Sequence, residues 1–290
     1  MVPRKHYVDL KELRPLEADE NGIMPLPVSH SAFPAYAFLY FGSDETILYT
    51  GDFRVNGFLS GGSFAKTYGG VSMLEYVREN RDIRIDRLII EGTNLGSARP
   101  PITPAEEEAM LKRILGAHSL TVATVHPLDL EYALFLASLA AEMGRPLYLA
   151  SKDIATLMDG IVELPAEPAL IEDYVQALTR FKSAGLIDVG ENALVIASYN
   201  EIVDLLRDLA AEENLPEGSA SILSEPEPRI EEAREYDVIM NWFSRLKVQA
   251  YLMRVSGHYY PYQLKEIMGA VKPKSVELIH TSPHVRLPAT

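Results

Sequence analysis

Apolar positions along the chain gather into short β-rich runs, and most gaps between them carry the spacing of amphipathic helices. The runs are YAFLYF, TILYT, RLIIE, LTVATV, PLYLA, NALVIAS, SASILS, VQAYLMRVS and SVELIH. Helical spacing marks TPAEEEAMLKRILGAH, LDLEYALFLASLAAEMG, ALIEDYVQALTRFKSAG, EIVDLLRDLAAEE and DVIMNWFSRL. Punctuation agrees with this division: Thr103 and Pro104 precede an acidic first turn, and Gly144 closes the following helix. Strands alternating with helices of this length predict an α/β protein with largely parallel pairing in the middle of the chain. Residues 28–54 differ, reading as an antiparallel hairpin turned by GSDE.

Residues 98–235 read as a unit of strand–helix repeats set between flanks of another character. In the flanks, short strands end in clusters of His, Asp, Glu, Ser, Thr and Asn, the arrangement of a scaffold that carries its working residues on loops. The predicted organisation is therefore a first part over 1–97, an insertion over 98–235, and a return to the first part over 236–290.

Composition narrows the class. The chain has 290 residues, 47% of them hydrophobic, and no cysteine, which removes disulfides and thiolate metal sites. No apolar run approaches the roughly 20 residues that span a bilayer, and the start MVPRKHYVDL has no apolar signal core, so a cytoplasmic location without membrane contact is expected. A net charge of -14 argues against broad adhesion to nucleic acid while leaving room for a local basic cleft. The acidic runs LEADE, AEEE, AEEN and EPEPRIEEAREYD read as solvated helix faces and loops.

Four polar clusters directly abut apolar strands: SHS with His30, TGDFR with Asp52, EGTN with Glu91, Thr93 and Asn94, and the C-terminal pair VSGHYY and LIHTSPH with His258 and His280. Taken singly, each is ordinary: a histidine at a strand end is more often a satisfied histidine than a ligand. Together, imidazoles and carboxylates at converging strand ends are what zinc or manganese requires. SGGSFAKTYGG at 60–70 lacks a phosphate-loop signature and reads as a loop. His126 reads equally as a groove residue or as a helix-entry histidine, and Trp242 as a core residue.

The ordered set of motifs resembles the metallo-β-lactamase-fold nucleases of the β-CASP group, the family of ribonuclease J. SHS…YTGDFR, RLIIEGTN, SILSEPEPRIEE…MNWFSRL and VSGHYYPYQLKEIMGAVKPKSVELIHTSPH carry the resemblance over nearly the whole chain. It implies an α/β fold in which an incomplete αββα sandwich holds an inserted β-CASP domain. It also implies roles: His30 and His280 each ligate one of two zinc or manganese ions, Asp52 bridges them, His258 and Ser256 serve the scissile phosphate, and Glu91 orients a neighbouring ligand. Thr93, Asn94 and His284 would face the substrate, RNA or single-stranded nucleic acid. Tyr259 and Tyr260 stand where the family usually has a small residue, and would narrow the cleft or stack on a base.

The family's H-x-H-x-D-H element is missing. The histidines are 6, 30, 118, 126, 258, 280 and 284, and no two stand in an H-x-H relation. Retained ligands spread over two cation positions predict weak or no metal binding by this chain alone. An exposed edge or apolar face is also expected, covered by a homo-oligomer contact, a rearranged N-terminus, or a complementing N-terminal metallo-β-lactamase chain. Three readings stand side by side: the downstream part of a nuclease, a non-catalytic nucleic-acid-processing scaffold or regulatory subunit, and a fragment of a longer reading frame.

Overall fold

The computed structural model describes residues 13–57, 72–96, 102–162, 189, 191–224, 233–253 and 256–281. The glycine-rich stretch 60–70, the helix expected at 169–185, the segment 225–232, His6 and His284 lie outside these residues. Among the described residues the chain is an α/β protein with two five-stranded sheets, one mixed and one entirely parallel.

The mixed sheet has the order β1 (Ile23–Val28), β2 (Ala35–Phe41), β3 (Thr46–Tyr49), β4 (Arg87–Glu91) and β10 (Ser275–Ile279). The expected hairpin is present, with Phe38 opposite Tyr49 and Phe41 opposite Thr46. β1 has no counterpart in the sequence reading, because Pro25 and Pro27 argue against a strand. It forms as an edge strand, where a missing N–H costs no ladder bond. β1 and β3 each run antiparallel to β2, and β4 and β10 run parallel to β3. The carboxyl ends of β1, β3, β4 and β10 therefore lie at one end of the sheet, where open α/β sheets place their ligands.

Alternation divides this sheet into two unlike faces. Leu26, Ala37, Leu39, Leu48, Leu88 and Ile90 point to one side and are fully buried against α1 (Met73–Glu79) and α7 (Leu264–Val271). The opposite register positions are Tyr36, Phe38, Tyr40, Ile47, Tyr49 and Ile89. These are also apolar, yet all are half-buried or exposed, Tyr49 by 40%. Among the described residues this face is thus half-buried to exposed, in contrast to the buried one.

The parallel sheet has the order β6 (Leu147–Leu149), β7 (Ala193–Ala197), β5 (Leu120–Thr124), β8 (Ala220–Leu223) and β9 (Gln249–Leu252). β5, β6, β7 and β8 are buried at every position, as strands covered on both faces must be. One face packs on α2 (Pro104–Ala117), α3 (Leu130–Glu142) and α4 (Lys152–Val162). The other packs on α5 (Ile202–Ala211) and α6 (Ala233–Leu246). α6 runs across residue 235 and β9 lies beyond it, yet β9 pairs with β8 along its whole length, so this sheet continues to Leu252.

Trp242 corrects the expectation of a core residue. It lies half-buried between the guanidinium groups of Arg207 and Arg245, 5.4 and 5.7 Å from its ring centroid, while its neighbour Phe243 fills the core. No helix among the described residues is long and apolar enough to cross a membrane.

Candidate metal centre

At the carboxyl end of the mixed sheet, Gly51 turns the chain out of β3. Its φ is +57°, and a β-carbon there would stand 3.0 Å from the Tyr36 carbonyl oxygen. Asp52 follows directly. Glu91 is the last residue of β4, His280 follows β10, and His30 follows β1 by two residues. His258 enters from the turn that follows β9.

Glu91 is the centre's buried anchor, 0% exposed. Its carboxylate accepts from Thr93 N at 2.9 Å and pairs with Nδ1 of His258 at 3.0 Å. Burial alone would raise its pKa, but His258 and the two Thr93 hydrogen bonds outweigh burial and hold the carboxyl below its ordinary value. Tyr259 donates its hydroxyl to the Glu91 carbonyl at 2.7 Å. Burial, with Glu91 adding to it, pushes that phenol far upward, so Tyr259 is a permanent donor in the core. Of Tyr259 and Tyr260, only Tyr260 lies toward the surface, its ring stacked on Tyr262 with centroids 5.9 Å apart.

Nδ1 of His30 faces the Gly257 carbonyl at 2.6 Å. It therefore carries the proton, which leaves Nε2 as an acceptor. Burial lowers the His30 pKa, the Gly257 carbonyl raises it, and nearby His258 lowers it again, with a net fall. His280 lies in the left-handed region at φ 53° and contacts Oδ1 of Asp52 through Nδ1 at 3.1 Å. That conformation costs a residue with a β-carbon about 1–2 kcal/mol, a strain that gathers at functional sites. The ring centroids of His30 and His258 are 5.0 Å apart, and those of His258 and His280 are 6.3 Å apart.

Asp52, Glu91 and His258 each offer a donor atom, and the three atoms lie within 4.8 Å of one another. Two carboxylates and an imidazole suit one borderline cation. His30 and His280 stand beside this trio, with Asp52, around a hollow of about 430 Å³. Two ring nitrogens and a carboxylate would match the three protein donors of an open zinc site, but that carboxylate is Asp52, already counted in the trio. The residues thus fit one cation, and a second only in part.

The remaining sequence candidates have other places. Asn94 is buried and donates Nδ2 to Ser256 Oγ at 2.7 Å and to the Tyr259 carbonyl at 3.0 Å, so it shapes the His258 turn instead of facing the hollow. Ser256 is buried too, and accepts from the His258 N–H at 3.2 Å. Thr93 Oγ1 lies 3.3 Å from Nδ1 of His280, at the rim. His126 accepts from the Leu128 N–H at 3.2 Å, the geometry of a helix-entry histidine.

Sequence reasoning did not find the buried brace behind the centre. Arg54 donates to Asp129 at 2.8 Å, to the Ser256 carbonyl at 2.8 Å, and lies 3.6 Å from Glu131. Ser29 also donates to Glu131. The partners stand 75 or more positions from Arg54 in the chain, so only the adjacency of Arg54 to the Asp52 motif hinted at it.

Gly257 sits where His30 and the His258 turn touch. A β-carbon there would lie 2.9 Å from Ser31 Cβ and 3.0 Å from His30 Cε1. Gly257→Ala is expected to cost about 1–3 kcal/mol by overpacking and to shift the His30 ring resonances. A urea midpoint and His30 spectrum like those of the wild type would contradict this placement.

No protein-family model matches the chain, and no curated protein matches it either. Among solved structures, the chain is similar to a crystal structure of a protein of unknown function from Enterococcus faecalis V583. The likeness has a TM-score of 0.63 and 19% sequence identity over 96% of this chain. At that identity it concerns the fold alone. The chain spans 62% of that longer chain.

Proposed function

We propose that the chain is the downstream part of a metal-dependent phosphodiesterase of the β-CASP kind, acting on RNA or single-stranded nucleic acid. In this reading the mixed sheet with α1 and α7 is half of an αββα sandwich, and the parallel sheet belongs to the inserted domain. One observation carries the reading: His30, Asp52, Glu91, His258 and His280 meet at one end of the mixed sheet, beside its partly exposed aromatic face. Tyr36, Tyr49 and Ile279 line the hollow around His30, Asp52 and His280, and Tyr36 and Tyr49 belong to that face. Polypeptide laid on the face would thus reach the centre and could bring the donors it lacks. Bound cations would supply an activated hydroxide and offset charge on the phosphoryl group. The chain's own part is to present Asp52 and Glu91 as carboxylates and to hold the rings of His30 and His258 in place.

A second reading is a non-catalytic scaffold that keeps the fold. It is favoured by the pairing of His258 with Glu91 and of His280 with Asp52, which satisfies these groups without a cation.

Cleavage of a labelled single-stranded RNA separates the two. A metallo-β-lactamase half carrying H-x-H-x-D-H, fused ahead of Met1 or added in trans, should confer manganese-dependent cleavage that is lost in His258→Gln. No cleavage by a folded, metal-loaded complemented protein, or cleavage unaffected by His258→Gln, would reject the nuclease reading.

A further inference from the structure

Behind His258, on the side where the two sheets meet, lies a crevice of about 20 Å³ lined in part by Arg54, Glu107, Ser256, His258 and Gln263. Glu107, in the first turn of α2, is 4% exposed, and its Oε1 is buried without a protein hydrogen-bond partner. Buried polar atoms in this state call for an explanation.

The charges around it supply the first half. Arg54 is the cation that Glu107, Asp129 and Glu131 share, and its guanidinium is already committed to the latter two. One guanidinium does not balance three buried carboxylates. Burial pushes the Glu107 carboxyl up, Arg54 draws it down and Asp129 raises it again, to about 8. Glu107 is therefore a neutral carboxylic acid at pH 7, whose O–H needs an acceptor.

The second half is across the crevice. With Nδ1 of His258 held by Glu91, Nε2 is the ring's acceptor. A volume of this size between polar groups suits a single water.

We propose that the crevice holds one bound water that accepts from the Glu107 carboxyl and donates to the His258 ring. Glu107 is then a positioning residue in the cation-free chain: its water holds the Nε2 lone pair that a cation at the candidate centre would take, and it stores a proton one water away from that centre. The charged and titratable groups facing it are Arg54 from the turn after β3, Asp129 at the start of α3, and His258 and Tyr260 from the turn after β9. The link itself needs neither a cation nor RNA. Its use as a proton store rests on the phosphodiesterase reading.

The test is a carbon-13 titration of the Glu107 side chain in the metal-free, RNA-free chain, with Glu107→Gln identifying the resonance. The expected midpoint lies near pH 8, and in His258→Ala it falls by about one unit, a tenfold weaker hold on the proton. A Glu107 carboxyl that titrates in the ordinary carboxylate range would overturn the proposal in the wild-type chain alone. So would a raised midpoint that does not move in His258→Ala. Because no activity is read, this result and that of the cleavage experiment are independent.

Discussion

Replacing Arg54 with methionine is expected to destabilise the fold by about 3–5 kcal/mol at neutral pH. That is the usual penalty for removing one member of a buried ion pair and leaving the other charged. Arg54 is buried, as are Asp129 and Glu131 on the far side of the junction. Methionine keeps the bulk and removes the charge together with the donors to Asp129 and the Ser256 carbonyl. The loss should shrink as pH falls, because the stranded carboxyls then take up protons in the folded state. Urea unfolding with an unchanged slope and a lowered midpoint would report it. A shift below about 1 kcal/mol would mean that the brace is far weaker than its geometry implies.

Asp52→Asn is the second large effect, on binding instead of folding. The Asp52 side chain is 29% exposed, so the isosteric amide should leave stability nearly unchanged. Its oxygen still accepts from Nδ1 of His280, but the charge that draws a cation is gone. Outer partners of a metal site are worth about 10- to 100-fold in affinity. A carboxylate that offers its own oxygen should exceed that, so a loss of more than about 100-fold is expected.

The legible and illegible parts of this protein divide along sequence distance. The hairpin from Ala35 to Tyr49 was readable because alternation and a four-residue turn are local signals. The parallel sheet was readable from uninterrupted apolar strands spaced by helices. β1 was not, since two prolines outweigh a short apolar run unless an edge position is known. His30, Asp52, Glu91, His258 and His280 stood out because each follows or ends a strand. Which of them close on one another was not readable: the trio joins Asp52 and Glu91 to His258, residues brought together only by the fold. Glu107 shows the same limit. AEEE reads as a solvated helix face, and Glu106 is indeed an exposed cap that bonds Thr103, with its carboxyl lowered by those bonds. Its neighbour turns inward to Arg54, a direction that helical periodicity alone did not single out.

We propose that Asp52, Glu91 and His258 form a site for one cation, beside a second position that this chain supplies only in part. Calorimetric titration of the purified chain with manganese tests it most directly, run beside Asp52→Asn and a His118→Gln control. His118 is engaged far from the centre, by the Gly218 carbonyl and the Tyr251 hydroxyl, each at 2.8 Å. One cation per chain is expected, bound weakly enough to be lost on dialysis, retained in His118→Gln and abolished in Asp52→Asn. Binding that survives Asp52→Asn undiminished, or no binding at all, would contradict it.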